Sequence, residues 1–143
     1  MKSFSPRILI IDDSRDSCEL MQLMLQHSDA DYEVTYALTP EEGLRLAAAR
    51  PSDLYVLDGR FAGIHGVEVC RRLRQIDMET PIMFFTGEAQ ESVRQEALRA
   101  GADAYLIKPH DLKQLTGTVK RLLGARQLAE HRDTSKAHHS STV

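Results

Sequence analysis

The chain has 143 residues and a formal net charge of −3, with 42% hydrophobic and 27% charged residues. This length fits one globular domain whose core needs no disulfide or metal support. The negative charge argues against direct nucleic-acid binding by the chain as a whole, and no apolar run approaches the roughly 20 residues that span a bilayer. We therefore expect a soluble cytoplasmic protein that binds neither nucleic acid nor membrane.

Short apolar runs alternate with amphipathic stretches five times along the chain. The first run, residues 8–11 (ILII), follows the start MKSFSPR, which lacks the long apolar segment of a secretion signal. A helix capped by Ser14 is predicted next, because apolar residues recur at three- and four-residue spacing through 20–25. The second run, 32–38 (YEVTYAL), alternates polar and apolar residues, which is typical of an edge strand.

The other three runs are short and continuously apolar: 54–57 (LYVL), 82–85 (IMFF) and 105–107 (YLI). Stretches with helical periodicity lie between the apolar runs and after the last one. The predicted helices begin at Thr39 with Pro40, begin at Gly66, span 89–100 before Gly101, and begin at Asp111.

The order of these elements predicts the fold class. Four continuous apolar runs indicate strands buried on both faces of a parallel sheet, and five β–α units predict a doubly wound α/β fold over residues 6–124. Residues 125–133 are predicted to extend the last helix, and the polar segment 134–143 is predicted to be disordered. Cys18 and Cys70 lack a CxxC spacing, so buried reduced thiols are favoured over a disulfide.

Chemically versatile side chains follow the predicted strands at the points where these end. Asp12 and Asp13 follow the first run, Asp58 the third, Thr86 the fourth and Lys108 the fifth. In open α/β sheets, ligands bind outside the carboxyl ends of the strands. We therefore expect these five residues to converge on one edge of the sheet.

Each of these residues also has a purely structural interpretation. Asp12 and Asp13 could cap a helix, Asp58 could mark a turn, Thr86 could end a strand, and Lys108 could be a surface lysine. Their joint occurrence at successive strand ends favours a site. Three close carboxylates repel one another, and a hard cation with oxygen ligands, Mg²⁺ above all, would neutralise them. A carboxylate can also act as a nucleophile toward phosphorus.

Four segments resemble the receiver domain of the response-regulator family of two-component signalling: ILIIDDS, DLYVLDGRFAGIHGVEVCRRLR, PIMFFTGEA and GADAYLIKP. The resemblance covers residues 6–124 and implies a flavodoxin-like (βα)₅ fold with strand order 2-1-3-4-5. It implies that Asp58 accepts a phosphoryl group, and that Asp12, Asp13, Asp58 and the backbone carbonyl of Arg60 bind Mg²⁺, or Mn²⁺ in its place.

The resemblance also implies a switch and partners. Thr86 and Lys108 match the switch hydroxyl and the phosphate-contacting lysine, and Tyr105 matches the aromatic whose rotamer follows phosphorylation. Arg60 and Glu88 match positions that tune the lifetime of the phosphoryl group. The implied partners are a histidine kinase or histidine phosphotransfer protein, and a downstream protein at the face of the fourth helix, last strand and last helix. Homodimerisation is left open.

Three positions depart from the family pattern: Ala62 stands where Pro is usual, His65 where an acid or Asn is usual, and Gly87 where Ala is more frequent. The main competing hypothesis is a phosphorylation-independent interaction module, or a receiver fragment of a longer regulator. An aspartyl-phosphate hydrolase would need an acid where Arg60 stands, and a nucleotide site would need GxxxxGK[ST], which is absent from the sequence. The resemblance implies a phosphoacceptor with slow self-dephosphorylation, not an enzyme that turns over a separate substrate.

Overall fold

A computed structural model describes residues 5–126 of the chain. Five strands form one sheet in which every neighbouring pair is parallel, in the order β2-β1-β3-β4-β5. The predicted fold class and strand order are thereby confirmed. The strands are β1 (Arg7–Ile11), β2 (Glu33–Ala37), β3 (Leu54–Leu57), β4 (Ile82–Thr86) and β5 (Ala104–Ile107).

Helices cover both faces of this sheet. They are α1 (Arg15–Gln26), α2 (Pro40–Ala49), α3 (Gly66–Ile76), α4 (Glu91–Arg99) and α5, whose described part is 115–126. One core layer joins α1 and α5 to alternate strand residues such as Ile8 and Ile10, while the other joins α2, α3 and α4 to Leu9 and Ile11. Successive residues of a strand point to opposite faces, so a strand covered on both sides must be apolar throughout.

The edge strands behave differently from the central ones. β2 lies at one edge, as its alternating sequence predicts. β5 lies at the other edge, and its residues alternate between buried and partly exposed, with Tyr105 and Ile107 partly exposed. The prediction that its continuous apolar run would be buried on both faces is therefore wrong.

Three helix starts were predicted correctly: those of α1 and α2, which have side-chain caps, and that of α3 at Gly66. Ser14 accepts a hydrogen bond from the Ser17 amide, and Thr39 accepts one from the Glu42 amide. α4 begins at 91, two residues later than expected, because the segment before it is tied to β4 and β5 through Glu88.

The start of the last helix also differs from the prediction. A 3₁₀ helix, His110–Gln114, precedes α5, so the α-helix begins at 115 and not at Asp111. The Asp111 carboxylate instead accepts a hydrogen bond from the Ile107 amide of β5 at 2.8 Å. This bond ties the turn back to the sheet.

A short antiparallel hairpin, Arg60–Phe61 with Ile64–His65, follows β3 and turns at Gly63, which has a positive φ of 80°.

Cys18 and Cys70 are buried free thiols, as predicted. Among residues 5–126, no helix is long and apolar enough to cross a membrane. The predicted tail at 134–143 and most of the predicted helix extension at 125–133 lie outside the described residues.

Candidate functional site

Three carboxylates meet at the carboxyl edge of the sheet. Asp12, Asp13 and Asp58 each offer an oxygen atom, and these atoms lie within 4.8 Å of one another. Asp12 is buried, Asp58 is half-buried and Asp13 is exposed. The predicted convergence of Asp13 and Asp58, which are 45 positions apart in sequence, is confirmed.

Asp12 is held firmly at the base of this cluster. Its amide donates to the Ala37 carbonyl of β2, and one carboxylate oxygen accepts from the Ser14 amide at 2.9 Å. The Cys18 thiol of α1 donates to its backbone carbonyl at 3.3 Å. These bonds fix the carboxylate at 1% exposure, which is tolerated only because a cation lies beside it.

That cation is the ammonium group of Lys108. It lies 2.7 Å from Asp12 Oδ2 and 4.0 Å from Asp58 Oδ1. The Lys108 amide donates to the Thr86 carbonyl at 2.8 Å, so the lysine leaves the sheet directly beside the end of β4. The sequence predicted a lysine at this edge, but not that its shorter contact is to Asp12.

The Asp58 carboxylate is attracted by Lys108 and repelled by Asp12. The amide of Asp58 donates to the Ile11 carbonyl, and its Oδ1 accepts from the Gly59 amide at 2.8 Å. Burial and the Asp12 carboxylate raise the pKa of Asp58 from 3.8 to about 6, against the opposing effects of Lys108 and the Gly59 hydrogen bond. This carboxyl group holds a proton more readily than an exposed aspartate.

The donor set fits a hard divalent cation. When all three carboxylates are ionised, one ammonium group leaves two negative charges uncompensated. Oxygen ligands on a partly open, acidic edge suit Mg²⁺. The predicted contribution of the Arg60 backbone carbonyl stays a prediction.

Thr86 closes the cluster from the side of β4. It is 1% exposed, and its hydroxyl oxygen accepts from the Glu88 amide at 3.2 Å. A Cβ atom on Gly59 would lie 2.6 Å from this hydroxyl oxygen, so a larger residue directly after Asp58 would require the Thr86 side chain to shift. The sequence analysis treated Gly59 as a turn signal and missed this close approach.

Tyr105, Glu88 and Arg60 meet at the rim. The Tyr105 hydroxyl donates to the Glu88 carbonyl at 2.7 Å, and its ring stacks on Phe84 with centroids 5.5 Å apart. Burial, with the nearby Glu88 and Asp58 carboxylates, raises the pKa of Tyr105 to about 12. The Glu88 carboxylate forms an ion pair with Arg60 at 2.6 Å.

An open cavity of about 630 Å³ lies above these groups. It brings together six predicted site residues and three that shape its walls. The six are Asp13, Asp58, Arg60, Thr86, Glu88 and Lys108, and the others are Phe61, Ala62 and Gly87. Asp12 lies beneath the cavity. Phe61 was not predicted, because its place on the hairpin rim depends on a turn that the sequence analysis did not resolve.

Comparisons with known proteins agree with this fold. The family model described as the response regulator receiver domain matches residues 8–120. The chain is 32% identical over 117 residues to the response regulator ArlR of Staphylococcus saprophyticus, covering 82% of this chain and 52% of that protein. It is 34% identical over 123 residues to the alkaline phosphatase synthesis transcriptional regulatory protein PhoP of Bacillus subtilis, covering 86% and 50%. The chain thus spans about half the length of these curated relatives.

Among solved structures, a receiver domain protein (CheY-like) from Methanospirillum hungatei superimposes with a TM-score of 0.81 at 27% identity. The match covers 88% of this chain and 99% of that one. Almost the whole of that solved chain is therefore present here.

Proposed function

The chain belongs to the response regulator receiver domain family, and from this premise we propose that it is a signalling switch that accepts a phosphoryl group on Asp58. The observation that carries the proposal is the meeting of the Asp58 carboxylate with Asp12, Asp13 and Lys108 at one sheet edge. The donor is a histidine kinase or a histidine phosphotransfer protein of a two-component system.

The transfer is a substitution at phosphorus. A carboxylate oxygen of Asp58 forms a bond to phosphorus while the bond from phosphorus to the imidazole nitrogen of the donor breaks, and that nitrogen keeps the electron pair. Lys108 is placed to neutralise charge on the phosphoryl oxygens, since its ammonium group is 4.0 Å from Asp58. The Thr86 hydroxyl is the proposed donor to a phosphoryl oxygen.

A divalent cation completes the proposed chemistry. Asp12, Asp13, Asp58 and the backbone carbonyl of Arg60 would hold Mg²⁺ or Mn²⁺, which when bound supplies positive charge against the phosphoryl oxygens. Asp12 is oriented for this task by the Ser14 amide and by Lys108.

In the proposed switch, Glu88 connects Thr86 to Tyr105. Its amide donates to Thr86, and its carbonyl accepts from Tyr105. If the Thr86 hydroxyl turns to the phosphoryl group, its bond to Glu88 is lost, and the anchor of Tyr105 shifts with it. We propose that this rearrangement repacks the face of α4, β5 and α5, where a downstream protein binds.

The lifetime of the phosphoryl group depends on Arg60 and Glu88 in this proposal. Both line the cavity above Asp58, where they form an ion pair, and the proposal is that this pair affects the approach of water to phosphorus. Removing either charge should change the rate of hydrolysis. An unchanged decay rate in Arg60→Ala would contradict this role.

Two alternatives keep the family but change the function. One is a receiver fragment of a longer regulator; the chain spans about half the length of its curated relatives. A phosphorylation-independent interaction module is opposed by the complete set of Asp12, Asp13, Asp58, Thr86 and Lys108.

Intact-mass measurement tests the proposal. The protein is incubated with acetyl phosphate, with and without Mg²⁺, beside Asp58→Asn and a matched surface control, Asp29→Asn. A single phosphoryl adduct that requires Mg²⁺ and is absent only from Asp58→Asn supports the proposal. A folded protein without the adduct refutes it in favour of the interaction module.

A further inference from the structure

The Arg60–Glu88 ion pair belongs to the lining of two cavities. One is the cavity above Asp58. The other is a cavity of about 550 Å³ between α3 and α4, here called the α3–α4 groove. Besides Arg60 and Glu88, the groove is lined by Gly59, His65, Val67, Glu68, Arg71, Gln90, Val93 and Glu96. A change in this ion pair therefore changes the charged lining of both cavities.

The acids of the groove are not equally paired. Arg71 lies 3.3 Å from Glu68 and 3.8 Å from Glu96, and Glu68 also lies 3.5 Å from Arg72 of α3. Glu88 is paired with Arg60 at 2.6 Å. Loss of the Arg60 contact would remove the ion pair of Glu88 and one positive charge from the groove lining.

Arg60 is the partner that can move. Its side chain is 72% exposed, whereas that of Glu88 is 19% exposed. A phosphoryl group on Asp58 carries nearly two negative charges and three acceptor oxygens, more than the single charge of a carboxylate. The phosphoryl group would lie in the cavity that Arg60 lines, and Arg60 is two residues after Asp58 in sequence.

We propose that phosphorylation of Asp58 draws Arg60 away from Glu88, and that the exposed Glu88 carboxylate then anchors a lysine or arginine of a partner protein in the α3–α4 groove. This inference rests on the proposed phosphoryl transfer. It adds a second docking surface, acidic and charge-selective, beside the face of α4, β5 and α5. The argument for a cationic occupant is charge complementarity, because the groove gains one net negative charge when Arg60 leaves.

A cationic probe tests this groove directly. The full chain, labelled for NMR, is titrated with N-acetyl-arginine amide, and shifts of the Val67 and Val93 methyl groups report binding. Since a partly exposed ion pair is worth up to about 1 kcal/mol, phosphorylation should tighten probe binding about two- to fivefold. The adduct is verified by intact mass in the same sample.

Three variants separate the steps. Arg60→Ala should bind the probe about two- to fivefold more tightly without phosphorylation, because Glu88 is already released. Glu88→Gln should lose the gain on phosphorylation. Glu91→Gln removes the same charge from an exposed position of α4 outside the groove, and should keep the gain.

The outcomes distinguish the two proposals. Tighter binding in the phosphorylated protein and in Arg60→Ala, but not in Glu88→Gln, supports the groove. A phosphoryl adduct with unchanged probe affinity, or no gain in Arg60→Ala, overturns the inference alone. Absence of the adduct overturns the proposed phosphoryl transfer and the phosphorylation step of this inference with it.

Discussion

The ammonium group of Lys108 donates to Asp12 Oδ2 at 2.7 Å, although the two residues are 96 positions apart in sequence. Lys108 leaves β5 at the edge of the sheet and reaches past β4 and β3 to the end of β1. Because Asp12 is 1% exposed, its negative charge depends on this partner. The contact connects the stability of the fold to the site.

Lys108→Met should therefore destabilise the protein. Without its ammonium partner, Asp12 is left as an uncompensated buried charge, and the free energy of unfolding should fall by about 2–3 kcal/mol in the presence of a chelator. Millimolar Mg²⁺ should restore part of the loss, since a ligand that binds only the folded state stabilises it. Urea denaturation followed by circular dichroism measures both effects.

The matched control for this variant is Lys113→Met. Lys113 is exposed in the 3₁₀ helix that follows β5, so its removal should change the free energy of unfolding by no more than about 0.5 kcal/mol. Equal effects of the two variants would contradict the role of the Lys108–Asp12 pair.

Asp58→Asn should stabilise the protein without divalent cations at neutral pH. The pKa of Asp58 is raised from 3.8 to about 6, so between these values the folded protein holds a proton that the unfolded chain releases. The free energy of unfolding therefore falls as the pH rises from about 4 to about 6, and it stays at this lower value at higher pH. The variant should gain roughly 1–3 kcal/mol at pH 7.5 and little at pH 4. Urea denaturation at pH 7.5 and pH 4 tests this prediction. An equal gain in the free energy of unfolding at both pH values would refute the pKa argument.

Gly66→Ala should be strongly destabilising. A Cβ atom at this position would collide with the backbone carbonyl of Asp58 and lie 2.7 Å from the Cα of Gly59. Because backbone atoms cannot move aside as a side chain can, the cost should be about 2 kcal/mol or more. Gly117→Ala, in α5 with nothing within 4 Å of the added atom, should instead stabilise by roughly 0.5–1 kcal/mol. Thermal unfolding of the pair tests this contrast, which would fail if both variants behaved alike.

His65→Asp should stabilise α3. His65 occupies the N-cap position with an extended backbone, but its side chain makes no capping hydrogen bond. An aspartate there can accept from the free amides of the first turn, and its charge suits the helix dipole, so a gain of about 0.5–1.5 kcal/mol is expected. The departure from the family pattern at this position thus weakens a helix start. Thr39→Ala, which removes an existing cap, is the opposite control and should lose about 1 kcal/mol.

The central strands and their ends could be predicted from sequence because two-sided burial forces continuous apolar runs. β1, β3 and β4 carry such runs, and a polar residue directly after each one marks the carboxyl edge. The same argument failed for β5, since a short edge strand with a three-residue apolar run cannot be told from a central one.

Arg74 shows what sequence patterns do not reveal. On α3 it resembles any surface arginine, yet its guanidinium group bonds the Gly101 carbonyl at 2.6 Å, the Thr80 carbonyl at 2.6 Å and the Asp103 carboxylate at 3.1 Å. These contacts join α3 to the segments before β4 and β5. They depend on tertiary placement over 6 to 29 positions of sequence, and no local periodicity encodes them. The Arg60–Glu88 pair escaped prediction as a contact for the same reason.

The most direct test of the central claim is to locate the phosphoryl group. The protein is incubated with Mg²⁺ and acetyl phosphate, and reduced with borohydride, which converts an aspartyl phosphate to homoserine; peptide mass spectrometry then finds the modified position. We predict modification at Asp58 alone, and none when Mg²⁺ is withheld. Modification at Asp12 or Asp13, or an unmodified protein with an intact fold, would contradict the account.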